Sequence, residues 1–126
     1  MTSILYAALG GAIGASLRYG VNVTSMKLFG ANFPWGTMFV NIVGSFAMGV
    51  LIAVMAQAWN TSQEMRIFLT TGVLGGFTTF SAFSLDFAAL WERKEHALAM
   101  AYAGGSVVLS LMAIFAGLWL ARTVLQ

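Results

Sequence analysis

Apolar runs broken by short polar interruptions divide the chain into four stretches. Each is long enough to cross a bilayer as a helix at ~1.5 Å rise per residue. The pattern predicts spans over residues 4–23, 35–59, 65–90 and 97–120, joined by polar turns at 24–33, 60–64 and 91–96. Pro34 stands where a helix start tolerates it, and Trp35 and Trp59 bracket the second span as interfacial aromatics do. Thr61 or Ser62 is placed to cap the third span, with Glu64 favourable at a helix start. The third run departs from the others. Gly72, Gly75 and Gly76 carry little helix propensity, and the polar, β-branched Thr78 and Thr79 follow directly behind them. This patch lies in the middle of its run, so a helix broken near the bilayer midplane is expected. Backbone leaves the helix at that depth only where protein buries it or a water-filled cavity receives it, a common way of building an ion site.

Polar residues inside the spans recur at helical spacing. Thr37, Asn41 and Ser45 share one face of the second span, and Tyr102, Ser106 and Ser110 share one face of the fourth. Each stripe either hydrogen-bonds between helices or lines a pore. Phe80, Phe83 and Phe87 form an aromatic stripe after the expected break, which as a bare pattern reads most simply as packing. Gly10 with Gly14, and Gly11 with Ala15, leave a face where another helix can approach closely. Arg18 near the end of the first span either snorkels to the headgroups or makes an aqueous vestibule electropositive. Asp86 has the same choice between snorkelling and standing at a pore mouth.

Composition narrows the function classes. The 126 residues are 60% hydrophobic and 8% charged, against about 25% charged in a soluble domain. This is an all-α integral membrane protein of one domain, residues 1–126. No basic n-region precedes the first run, so that run is expected to persist as a membrane span. Cysteine is absent, which excludes disulfides and thiolate metal sites. The net charge of +2 arises without a basic cluster and gives no reason to expect a nucleic-acid partner. The single histidine, His96, sits in a charged turn without a neighbouring nucleophile, so no enzyme is expected. What the spans offer is neutral donors (Asn41, Thr79, Ser81, Tyr102, Ser106 and Ser110) beside phenylalanines, with no carboxylate before Glu64. Such a lining suits an anion: amide and hydroxyl protons replace its water, and ring edges carry partial positive charge. Lys and Arg are spread weakly between the two sides, which predicts insertion in both orientations and an inverted pair.

Three segments carry a resemblance over nearly the whole length. Residues 11–19 (GAIGASLRY), 36–41 (GTMFVN) and 72–81 (GVLGGFTTFS) resemble, in order and in the corresponding spans, the signatures of the small dual-topology fluoride channels, the Fluc family. Ala82 stands where a threonine is usual there, and Asp86 where a glutamate is usual. The resemblance implies an antiparallel homodimer in the cell (inner) membrane, with two anion pathways and passive, selective fluoride export. It implies one structural sodium ion, held by the backbone carbonyls of Gly75 and Thr78. It also implies that Phe80 and Phe83 gate the pathways, with Asn41, Tyr102, Ser106 and Ser110 as donors. Two other readings compete: a small proton-coupled multidrug exporter, which would need a membrane-embedded glutamate in the first span, and a non-transporting membrane scaffold.

Overall fold

A computed structural model describes residues 2–126 of the chain. Four helical stretches are long and apolar enough to cross a membrane. Helix α1 covers Thr2–Phe29 and α2 covers Trp35–Gln57. The third stretch is composite. It opens with α3 (Gln63–Ile67), continues as a π-helix over Phe68–Leu74, tightens into a short α4 (Gly75–Phe77), and resumes as α5 (Phe80–Glu92). Helix α6, His96–Leu125, completes the chain.

Local chemistry explains these limits. α1 runs six residues past its expected end at Val23, because nothing between Thr24 and Phe29 breaks a helix. It stops at Gly30, whose φ of +80° suits the left-handed cap and whose N–H reaches the Met26 carbonyl at 2.9 Å. Ser62 caps α3 by accepting the Met65 N–H at 3.2 Å. The charged turn after α5 is closed by Lys94 at φ 64°. The π-helix has no signal in the hydrophobic pattern, since a change of hydrogen-bond register leaves the run equally apolar.

The spans pair in an interleaved way. α1 packs mainly on the π-helix and α4, while α2 packs mainly on α6. Lipid tails are as apolar as leucine, so helices here associate through close approach rather than water exclusion. Glycine makes that approach possible. A Cβ on Gly14 would run into the Val73 carbonyl oxygen and come within 2.8 Å of the Phe77 nitrogen. On the other seam, a Cβ on Gly49 would run into the Ile114 carbonyl, and one on Gly117 into that of Phe46. Large apolar side chains such as Leu9, Met112, Phe115 and Trp119 point outward instead. The most buried large side chains are Tyr102, Leu90 and Val40. Phe33, Met38, Phe83 and Phe87 close around Leu90 and Tyr102.

Candidate functional site

The site grows from the break between α4 and α5. Thr78 and Thr79 are both extended, at φ/ψ of −86°/159° and −155°/124°. Their polar groups are redirected to side chains. Asn41 accepts the Thr79 N–H at 2.8 Å and returns its own amide proton to the Thr79 carbonyl at 3.0 Å, pairing with the main chain much as a strand would. The Thr79 hydroxyl caps α5 by accepting the Ala82 N–H at 3.1 Å. In a continuous helix those two amides would close on the carbonyls of Gly75 and Thr78. Both carbonyls are therefore released from the helix ladder, and Gly75 is exposed. Upstream, the Arg18 guanidinium donates from Nε to the Gly76 carbonyl at 3.0 Å. Arg18 thus steadies the approach to the break from α1, outside the cavity described next. The Thr78 methyl fills the space left by Gly44, where a Cβ would collide with it.

A cavity of about 300 Å³ opens beside the break. Asn41 and Ser45 line it from α2, Thr79, Phe80 and Phe83 from the break and α5, and Ser106 and Ser110 from α6. The Ser106 and Ser110 hydroxyl oxygens are buried and have no hydrogen-bond partner among the described residues. Buried polar atoms normally find partners, so an unpaired pair facing one cavity marks a place prepared for something that binds them. Phe80 is 77% exposed and Phe83 half-buried, their ring centroids 5.6 Å apart.

Tyr102 stands apart from this group. Its hydroxyl donates to Asp86 Oδ2 at 3.2 Å, and its ring lies 5.2 Å from Phe83 and edge-on to Phe33 at 5.5 Å. A second cavity of about 310 Å³ lies on the far side, beneath the α1–α2 loop, with Thr37, Asp86 and Arg93 in its lining. Phe83 thus lines the first cavity and touches Tyr102, whose hydroxyl partner Asp86 lines the second.

Residues 5–118 match the family model described as "CrcB-like protein, Camphor Resistance (CrcB)". The chain belongs to the CrcB-like family. It is 54% identical to the "Fluoride-specific ion channel FluC" of Mesorhizobium japonicum over 98% of both chains. It is 57% identical to the protein of that name from Agrobacterium fabrum, over 97% of this chain and 98% of the relative. The counterpart in Cereibacter sphaeroides is 58% identical over 94% and 93%. The resemblance carried by the three glycine-rich motifs is met by these relatives.

Within this CrcB-like chain the expected donors fall into distinct places. Asn41, Thr79, Ser106 and Ser110 meet at the first cavity with Phe80 and Phe83. Ser81 is exposed, with its hydroxyl 3.4 Å from that of Thr79. Tyr102 and Arg18 lie outside that cavity, as described. The sequence reading missed the two-way pairing of Asn41 with Thr79, the Arg18 hold on Gly76, the Tyr102–Asp86 hydrogen bond, and the Arg93 hydrogen bond to the Asn32 carbonyl at 2.6 Å. Asp86 and Tyr102 come from different spans and share no periodic signal.

Proposed function

We propose that this protein is a passive, fluoride-selective ion channel of the cell inner membrane, a multi-pass protein and not an enzyme, exporting fluoride from the cytoplasm. The near-full-length likeness to proteins named fluoride-specific ion channels supports the ion. The unpaired Ser106 and Ser110 hydroxyls beside Phe80 and Phe83 support the route, and they are the observation that carries the reading. A small anion leaving water needs hydrogen-bond donors to replace its hydration. Two buried hydroxyls, the remaining Asn41 amide proton and the Thr79 hydroxyl supply them. The exposed Phe80 and its neighbour Phe83 present ring edges to the ion, a weak attraction that also keeps the passage narrow and partly dry.

The working unit in this reading is an antiparallel homodimer with two separate pathways. The exposure of Phe80 and of Gly75 at the break supports a second copy lying against that face. The released carbonyls of Gly75 and Thr78 fit a structural sodium ion. They are neutral, hard oxygen donors at an interrupted helix, the kind of donor set that takes Na⁺. One chain supplies too few of them, so the ion belongs on the dimer axis with the same pair from the partner. Bound there, it would supply a fixed positive charge near both pathways. The chain's own residues hold the site open: Asn41 fixes Thr79, and Arg18 fixes Gly76. α1 carries no acidic residue, which removes the proton-coupled exporter.

Efflux from proteoliposomes tests the reading. Purified protein should release fluoride rapidly and chloride negligibly, without ATP or a proton gradient, and equal release of both anions would refute it. A reporter on the C-terminus should be found on both faces of the membrane. A single orientation would remove the inverted dimer while leaving the anion route.

A further inference from the structure

The cavity beneath the α1–α2 loop contains a donor that none of the readings so far has used. Asn22 follows Gly14 and Arg18 at four-residue steps, on the face of α1 turned toward the rest of the protein. It is half-buried and lines this cavity together with Thr37, Asp86 and Arg93. Its side-chain oxygen sits against Gly36, where a Cβ would collide with it. Its main-chain carbonyl accepts from the Ser25 hydroxyl at 3.1 Å. Among the described residues its side-chain amide makes no hydrogen bond within the chain, so both of its N–H donors remain free.

The two cavities lie in series. On α2, Thr37 lines the upper one, and Asn41, one turn on, lines the lower. On α5, Asp86 lines the upper and Phe83 the lower, and the Tyr102 ring lies against Phe83 while its hydroxyl bonds Asp86. An ion leaving the lower cavity past those rings enters a space that already holds the Asp86 carboxylate. One oxygen of that carboxylate is occupied by the Tyr102 hydroxyl. An anion can rest there only against donors on another wall. Thr37 faces the Tyr102 hydroxyl and shares its proton there, whereas Asn22 offers two. At the mouth, the Arg93 guanidinium bonds the Asn32 carbonyl at 2.6 Å and Glu95 at 3.1 Å, leaving a partly balanced positive charge over the exit.

We propose that this cavity is a second station for the conducted anion, with the Asn22 side-chain amide as its principal donor and Gly36 as the space that keeps that amide in place. The proposal rests on the channel reading above. It assigns to α1 a contact with the ion, in addition to the contacts made by α2, α5 and α6.

Three variants in fluoride-loaded proteoliposomes test it, each with its melting temperature and dimer elution measured. Asn22→Leu keeps the approximate shape and removes the donors, and should slow fluoride efflux about tenfold or more while melting and elution stay unchanged. Asn22→Gln, which keeps the amide, should restore roughly a third or more of the rate. Gly36→Ala should slow efflux severalfold with Asn22 intact, because it pushes the amide aside. Wild-type rates in both Asn22→Leu and Gly36→Ala would overturn the station. If Asn22→Leu fails to assemble, Gly36→Ala decides: slowed efflux supports the station and an unchanged rate overturns it. Failure of the channel reading looks different, since the unmodified protein would then release fluoride no faster than chloride.

Discussion

The two halves of the third span are made of similar residues and are held in opposite ways. Residues 63–77 lie main chain against main chain on α1, with Gly10 and Gly14 facing Gly72, Val73 and Phe77 too closely to admit a Cβ. Arg18 adds a side-chain hold on Gly76. α5 has no such seam. It leaves Phe80 exposed and touches its neighbours through side chains: Phe83 on Tyr102, Asp86 on Tyr102, and the Thr79 cap at its start. The upstream half is a fixed mount and the downstream half is a lining. Asn41 stands at the division, holding both polar groups of the Thr79 peptide. A broken helix works as an ion site only when one side of the break is immobile enough to hold the other in register.

That contrast can be broken from either side. The largest effect is expected upstream. Gly14→Leu forces a side chain into the Val73 carbonyl and should cost ~3 kcal/mol or more, since rigid main chain cannot step aside. Loss of the folded protein on size exclusion checks it, and a normal elution profile would show that α1 can shift away. Asn41→Asp comes next. It removes the proton donated to the Thr79 carbonyl and places a negative charge in the proposed anion route, so fluoride efflux should fall roughly a hundredfold. Rates near wild type would make Asn41 a purely structural clamp.

Downstream changes should spare assembly and slow conduction. Phe80→Ile and Phe83→Ile should each reduce fluoride efflux about tenfold while the elution profile stays that of the unmodified protein. Unchanged flux in both would move the route elsewhere. The smallest effect tests the mount without touching a side chain. Exchanging sodium for a large organic cation should lower the melting temperature by a few degrees, about what a ligand bound well above its dissociation constant contributes. A melting curve indifferent to sodium would leave the Gly75 and Thr78 carbonyls without their proposed ion.

The mount and the lining were not equally legible in the sequence. The four spans, a cap at Thr61 or Ser62 and the weakness around Gly72–Thr79 follow from local chemistry: apolar run length, a hydroxyl before a helix, and glycines followed by threonines. Asn41, Ser106 and Ser110 stood out because a polar residue at helical spacing in an apolar run has few explanations. The π-helix left no trace, because it changes which amide meets which carbonyl and not which residues are apolar. The partner of Asn41 was equally hidden, since a side chain that bonds main chain leaves no mark on the residue it bonds. Arg18 showed its charge in the sequence and kept its target, the Gly76 carbonyl, concealed for the same reason.

The interleaved pairing of first span with third and second with fourth also dictates the order of biogenesis. The main-chain seams at Gly10, Gly14, Gly49 and Gly117 join spans that are not consecutive, so a chain that has delivered only α1 and α2 into the lipid has the Gly36 contact with Asn22 but neither of those seams. The seam of α1 with the third span needs three spans in the lipid, and that of α2 with α6 needs all four.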